Sequence, residues 1–242
     1  MSITQPYGKL VLSGNDSCIQ HATDQALQWC HNNNMKINTD KTKEMIVYFG
    51  KKTHTLPEIK LNCSDLERVK QSKLLGVIIN DKLTWGDHID YICTKASKRL
   101  YFFKLLKRAN LPANDIIHVY CSIVRAVLEY ACEIWHTGLN KNQSKQLEHI
   151  KKRAFKIAAP DLNYTFALET FKVKTLYDRR EDRCRLFFRE ICQPSHRLNN
   201  LLPPPCDVSH LRSNRQFQLP RIRTNRLKNS PIYYGVFNFN TK

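Results

Sequence analysis

The sequence predicts an α+β chain that is mostly helical: a small antiparallel sheet with one helix, then a three-helix bundle, then an irregular basic tail. Three observations carry that expectation. Short β-like runs closed by turn residues cluster in the first 85 residues, whereas longer amphipathic patterns of helical period follow. Hydrophobic residues make up 42% of the 242-residue chain and aromatics 10%, enough to build a core. The charge changes at the same place. The net +18 divides into 0 over residues 1–50, +1 over 51–90, +9 over 91–160 and +8 over 161–242. The predicted parts are therefore 1–85, 86–160 and 161–242.

In chain order, Lys9-Leu10-Val11-Leu12 reads as a short strand ended by Ser13-Gly14-Asn15-Asp16. Asp16 to His31 reads as a helix with Asp16 or Ser17 as N-cap and Ile19, Ala22, Ala26 and Trp29/Cys30 inward; Asn32-Asn33-Asn34 stops it. Glu44 to Phe49, ended by Gly50, is a predicted strand, as are Ile59-Lys60-Leu61 and Leu74 to Ile79. Asp90 to Arg108 is the next helix. It turns Ile92, Ala96, Phe103 and Leu106 inward, and Lys95, Lys98, Arg99, Lys104, Lys107 and Arg108 surround that stripe.

Leu111-Pro112 breaks the helix, and Asn114 or Asp115 can cap its successor. That successor aligns Ile116, Tyr120, Ile123, Val127, Tyr130/Ala131 and Ile134 on one face and His118, Ser122, Arg125 and Glu129 on the other. Gln143 to Ala158 follows, with Leu147, Ile150, Ala154 and Ile157 inward and Pro160 as terminator. A last helix runs from Leu176 to Cys192. Beyond it, Pro203-Pro204-Pro205 reads as an extended linker, and Leu211 to Arg226 is Arg-rich without periodicity.

Composition excludes several classes. The most apolar long stretch, Ile116 to Ile134, carries His118, Arg125, Glu129 and Glu133, which argues against a membrane span. Met1 to Gln20 lacks the basic start and apolar run of a signal peptide. Nine cysteines, an odd number without any C-x-x-C, read as free thiols of an intracellular protein, nuclear or cytoplasmic. Lys151-Lys152-Arg153 is a short basic run of the kind used in nuclear import. Seven glycines leave little room for a phosphate-binding loop, and no serine has the glycines of a nucleophile elbow. Glu181-Asp182 reads as a solvated face paired with neighbouring arginines. Cys192-x3-His196 and Cys206-x3-His210 have the residue types of a structural zinc site, but Pro203 to Pro205 works against a compact knuckle. His118 reads as solvent-exposed, and Trp29, Trp85 and Trp135 as core or interface anchors. A cationic excess of this size points to a polyanion, nucleic acid before an anionic membrane.

Several strings resemble a known family. Trp29-Cys30, Asn34-Met35-Lys36-Ile37-Asn38 and Lys41-Thr42-Lys43-Glu44-Met45 look like the segment after the catalytic centre of non-LTR (LINE-type) retrotransposon reverse transcriptases. Lys73 to Ile79 and Leu83-Thr84-Trp85-Gly86-Asp87-His88-Ile89 resemble the block that holds the primer grip. Lys95 to Tyr101 and Val127 to Trp135 resemble thumb helices, and Pro220 to Thr224 with Lys228-Asn229-Ser230 the C-terminal ending.

The resemblance implies a palm remnant over 1–85, a thumb-like bundle over 86–160 and a basic C-terminal extension. It implies that Lys41 is the lysine near the leaving pyrophosphate and that Leu75 and Gly76 form the primer-grip turn. Contacts to RNA, DNA or an RNA–DNA hybrid are then expected from Lys41, Lys43, Leu75, Gly76, Lys95, Lys98, Arg99, Lys104, Lys107, Arg108, Lys151, Lys152 and Arg153. The family's Ala-Asp-Asp motif does not occur, and the chain contains no Asp-Asp pair. No catalytic residue, cofactor or metal is therefore expected in these 242 residues; Mg2+ belongs to the intact polymerase. The expected function is non-specific binding of template–primer without polymerase activity. The alternatives are part of a longer active RNA-directed DNA polymerase, or a decayed element without a selected role.

Overall fold

The computed structural model describes residues 19–50, 56–62, 64–206 and 216–240. They fall in two units, Met1–His88 and Ile89–Lys242. The mostly helical α+β class expected from the sequence holds, although several elements differ from expectation.

In the first unit, helix α1 (Ile19–Asn32) ends where the asparagines begin. Asn34 adopts a left-handed φ of 54°. Met35 N then bonds to Cys30 O at 2.8 Å and Asn34 N to His31 O at 3.1 Å. These are the two bonds that close a Schellman motif, with Asn where glycine is usual. The helix rests Ile19 and Leu27, together with Ile37, on a small core of Ile59, Leu61 and Leu66. Trp29 faces outward and is not a core anchor, because the side of α1 that packs on this core carries the partly buried Ile19 and Leu27 instead. The strand expected at 9–12 and the caps Asp16 and Ser17 lie outside the described residues.

Strand β1 (Lys43–Glu44) is much shorter than the run 44–49 that β-propensity marks. Its ladder with β4 is two residues long, and Val47, Tyr48 and Phe49 turn outward. β2 (Lys60–Leu61) and β3 (Ser64–Asp65) form an antiparallel pair. β4 (Glu67–Arg68) pairs with β1 in parallel, which differs from the wholly antiparallel sheet expected.

The run 74–79 is a hairpin, not one strand. β5 (Gln71–Leu74) pairs antiparallel with β6 (Val77–Asn80) across Leu75 and Gly76, whose φ values of 46° and 89° are both positive. Two consecutive positive φ angles are what a type I′ turn needs to match the twist of its strands. Leu75 and Gly76 thus form the tight turn of a hairpin.

Helix α2 (Gly86–Arg108) starts four residues before the expected Asp90. The Asn80 side chain prepares that start: its Oδ1 accepts from Thr84 N, and its Nδ2 donates to Thr84 Oγ1 and Asp87 Oδ2, all at 2.8 Å. His88 is fully buried, and its Nδ1 accepts from Ile78 N at 3.2 Å. Burial pulls its pKa below the ordinary histidine value.

In the second unit, α2 buries Ile89, Ile92, Cys93, Ala96, Leu100 and Phe103. The single helix expected over 115–135 is instead α3 (Ala113–Val119), a π turn (Tyr120–Val124), α4 (Arg125–Leu128) and α5 (Cys132–Trp135). The π turn inserts one residue per turn and rotates everything after it. Ala131, at φ 50°, breaks the helix again. Ile123, Tyr130 and Ile134, expected inward, consequently face outward, while Val124, Leu128 and Cys132 are buried. Trp135 is fully buried and Nε1 donates to Tyr130 O at 3.0 Å, bridging the break.

Helix α6 (Lys141–Ala158) begins with a capping box: Gln143 N donates to Asn140 Oδ1 and Asn140 N to Gln143 Oε1. It buries Leu147, Ile150, Ala154, Phe155 and Ala158. α7 (Tyr164–Thr170) is short and has no counterpart in the sequence reading. α8 (Leu176–Ile191) matches the last expected helix and packs on α5 and α6.

The tail is not irregular throughout. α9 (Asn225–Lys228) leads into α10 (Pro231–Asn238), which packs on α8 and α5. Phe188, Phe217 and Val236 form a core there, joined by Phe239. The Asn240 side chain clamps residues 216 and 217 by accepting from both amides and donating to Phe217 O at 2.7 Å. Helices from either side of residue 160 thus pack on one another, α8 on α5 and α6 and α10 on α5.

Candidate nucleic-acid interface

Of the expected contact residues, those of the first unit divide. Lys41 N is held by the Asn38 side chain in a 3-10 turn, which fixes its backbone and leaves the ammonium on an exposed residue. Lys43 pairs with Glu67 across the β1–β4 ladder, beside a second cross-strand pair, Arg68 to Glu44 at 2.8 Å. Its charge is therefore answered within the unit. Leu75 stands at the hairpin tip with 72% of its surface exposed, and Gly76 lies beside it.

On α2, Lys95, Lys98, Lys104 and Arg108 are exposed. They alternate with Tyr101 and Phe102, each 60% exposed and stacked edge-to-face at 6.2 Å. Two other cations of the set serve the fold. Arg99 donates to Ile123 O, a carbonyl of the π turn. Lys107 Nζ donates to Ala158 O at 3.2 Å, at the negative end of α6.

On α6, Lys152 and Arg153 face outward, whereas Lys151 does not reach the surface. Lys151 has no exposed area; it donates to Lys174 O and lies 5.2 Å from the centroid of the Phe155 ring. Burial lowers its pKa to about 8. The reason is phase: Lys151 stands four after Leu147 and three before Ala154, on the apolar stripe.

The sequence reading missed the rest of this face. Lys141, Lys145, His149, Lys152, Arg153 and Lys156 are all exposed and recur at three- and four-residue steps along one side of α6. Steps of four rise about 6 Å each, close to the separation of successive phosphates along a strand. The one acid of the helix, Glu148, turns away: it accepts from Tyr164 Oη and from Leu176 N at 2.9 Å. Neither Lys141 nor Lys145 has a carboxylate partner among the described residues. The i, i+4 spacing of lysines was the signal available in the sequence.

A cleft flanks each side of this face. One, of about 320 Å³, is lined by His149, Lys152, Arg153, Lys156 and Tyr164. The other, of about 620 Å³, lies among α6, α8 and the segment before α10, and Lys152 borders both. The floor of the larger cleft is a polar network. Arg180, fully buried, donates through Nε to His136 Nδ1 at 3.2 Å and through Nη2 to Ser144 Oγ at 3.3 Å. Arginine only donates, so His136 carries its proton on Nε2 and gives it to Glu181 Oε2 at 3.2 Å. Glu181 also receives Tyr234 Oη at 3.0 Å. Burial, and then the Arg180 charge, push the His136 pKa down to about 3, so the ring is neutral.

Glu181 is thus a buried-network member rather than a solvated partner of arginines, while Asp182 does pair outward, with Lys174 at 2.7 Å. Arg179 grips the buried Glu129 with two bonds, at 2.7 and 3.1 Å.

Among the described residues no three His, Cys, Asp or Glu side chains converge to hold a metal ion. Of the zinc-like set, Cys192 is half-buried, His196 Nδ1 accepts from Leu198 N at 3.2 Å, and His210 lies outside the described residues. The described cysteines, including the buried Cys93, Cys132 and Cys184, are free thiols. No described helix is long and apolar enough to cross a membrane.

No family model matches the chain, and no solved structure matches it significantly. Curated proteins do. A probable RNA-directed DNA polymerase from transposon X-element of Drosophila melanogaster is 22% identical over 169 residues, 62% of this chain and 18% of the relative. The RNA-directed DNA polymerase from mobile element jockey, of the same fly, is 26% identical over 133 residues, 53% of this chain and 14% of its own. A probable RNA-directed DNA polymerase from transposon BS is 24% identical over 132 residues, with 53% and 14% covered. The chain thus spans less than a fifth of the length of the relatives it matches. Taken with the motifs in its sequence, it is similar to the reverse transcriptases of non-LTR retrotransposons.

Proposed function

We propose that this chain binds the sugar–phosphate backbone of RNA, DNA or their hybrid without sequence preference, and that its 242 residues do not polymerise. The observation that carries the reading is the outer face of α6, where five Lys or Arg side chains recur at helical spacing and the helix's single acid is turned inward. Contacts to phosphates fix a protein on a strand but carry no sequence information. The exposed cations of α2 support the same reading, with Tyr101 and Phe102 set among them as apolar contact area. Lys43, Arg99, Lys107 and Lys151 are left out of the interface because each is committed to the fold. The names of the relatives support a polynucleotide as the partner. Polymerisation needs carboxylates that hold two metal ions, and the chain has no Asp-Asp pair.

Fluorescence anisotropy with labelled oligonucleotides of unrelated sequence tests the first half. At low salt, affinities are expected to agree within a few-fold; no binding at all would overturn it. Primer extension on a primed RNA template with magnesium tests the second half. No incorporation is expected, and clear incorporation would show that the catalytic carboxylates were misjudged.

A further inference from the structure

We infer that the larger cleft beside α6 is a binding site for a single-stranded segment of nucleic acid, with Tyr177 as the platform on which a base stacks. The inference rests on the proposed function, since it names the form of polynucleotide and the residue that receives it.

Four observations lead there. The cleft is an open groove of about 620 Å³, a volume within the range of ligand sites. That is room for an unpaired nucleotide. Lys141, Lys145 and Lys152 line it together with Glu148, whose carboxylate is taken up by Tyr164 Oη and Leu176 N; among the described residues Lys141 and Lys145 have no carboxylate partner. The chemistry of the rim therefore calls for an anion that repeats along a chain.

Tyr177 also lines the cleft, with 49% of its surface exposed. The His136 ring stands against it edge-to-face, with centroids 5.2 Å apart and planes at 66°. His136 is in turn fixed by Arg180 and Glu181, so the platform is held from below by a buried network. Aromatic faces alternating with cations are how proteins take single strands irrespective of sequence, because every base has a π face.

The other aromatic groups of the cleft are committed. Tyr164 gives its hydroxyl to Glu148 and carries Lys152 over its ring at 5.1 Å, and Tyr234 gives its hydroxyl to Glu181. Among the described residues the Tyr177 hydroxyl makes no hydrogen bond, and its ring is the half-exposed one. Its role is a stacking surface rather than a hydrogen-bond donor, which sets the discriminating substitution.

The test uses the full chain and three probes: an eight-residue oligouridine, its deoxy counterpart, and a blunt duplex. Tyr177→Ala is expected to weaken the single strands on the order of ten-fold or more and to leave the duplex within two-fold. Tyr177→Phe is expected to bind as the parent does, because it keeps the ring and loses only the hydroxyl. Circular dichroism and thermal melting establish that each variant is folded; should Tyr177→Ala fail to fold, quenching of a 2-aminopurine placed in the oligonucleotide by the parent protein, and its loss in Lys141→Gln/Lys145→Gln, reads the same contact. Equal loss on duplex and single strand, unchanged single-strand affinity in Tyr177→Ala, or absence of quenching would overturn the inference while leaving backbone binding intact. Loss of all three probes by the parent itself would instead overturn the proposed function. Preference between the ribose and deoxyribose strands identifies which source of single strand the cleft takes.

Discussion

Replacing Gly235 with alanine separates a docked α10 from a loose tail. A helix interior gains about 1 kcal/mol from Gly→Ala when nothing else changes, so on an unpacked helix the substitution stabilises. Here a Cβ on residue 235 would stand 2.1 Å from Cδ2 of Phe188 and 2.6 Å from Cγ. Carbon atoms at rest sit about 3.5–4.0 Å apart, so ring or helix must shift by more than an ångström. The ring has little freedom, because Phe217 and Phe239 stand against it at centroid distances of 6.4 and 6.3 Å. Lifting α10 instead uncovers Val236, which has no exposed surface.

Overpacking of this kind costs about 1–3 kcal/mol, and the depth of the overlap places it in the upper half. Net of the helical gain, Gly235→Ala should destabilise the second unit by about 1–2 kcal/mol, or lower Tm by roughly 2–8 °C for a domain of this size. Thermal melting by circular dichroism measures it. Phe188→Leu should rescue part of the loss, so that the double variant is more stable than the sum of the singles by about 1 kcal/mol. A rise in Tm for Gly235→Ala alone would refute the seating of α10 on α8.

Three further predictions follow from buried or strained groups. His136 has its pKa lowered from 6.5 to about 3, so the unfolded chain binds its proton first. The stability this contributes is full above about pH 6.5 and is lost as pH falls toward 3; His136→Gln should flatten that part of a stability–pH curve, and an unaltered acid limb would contradict the network. Lys151, lowered from 10.5 to about 8, sheds its proton first in the folded state, so stability of the parent relative to Lys151→Met should rise between pH 8 and about 10.5. The same variant should bind nucleic acid as the parent does, and weaker binding would mean that Lys151 reaches a phosphate. Leu75→Asn places the preferred Asn-Gly pair in the β5–β6 turn and should stabilise the hairpin by roughly 1 kcal/mol, because asparagine tolerates the left-handed region better than leucine, seen as slower amide exchange in β5 and β6; faster exchange would exclude the positive-φ turn.

The legible parts of the chain are those whose period runs unbroken. α1, α6 and α8 carry regular apolar stripes with stops at Asn34, Pro160 and Cys192; α6 and α8 stand where the sequence puts them to within two residues, and α1 ends within one residue of its expected stop. The helix after Pro112 looked the most regular of all, yet the π turn at Tyr120–Val124 and the left-handed Ala131 each shift its phase. No residue type announces a π turn, so Ile123, Tyr130 and Ile134 could not be seen to face outward. The strand read at 74–79 hid a hairpin because Leu75 is an unusual occupant of a left-handed position. α10 is short and follows an Arg-rich stretch, though Ser230-Pro231 was a start signal.

The candidate site was legible by region and not by residue. Charge counting found the basic half of the chain but treated Lys151, Lys152 and Arg153 as equals. Their places in the period distinguish them: Lys151 shares the apolar stripe of Leu147, Ala154 and Ala158. The same phase rule picks out Lys141, Lys145 and Lys156. The cleft and Tyr177 depend on where α8 packs, which no local pattern encodes.

The most direct test of backbone binding through α6 is the slope of log K against log salt. Each phosphate contact on a single strand contributes about −0.7 to that slope. The variant Lys141→Gln/Lys145→Gln/Lys152→Gln should therefore be shallower than the parent by about 2, with little change in thermal stability, since all three are exposed. A slope equal to the parent's would contradict the assignment of these cations to the interface.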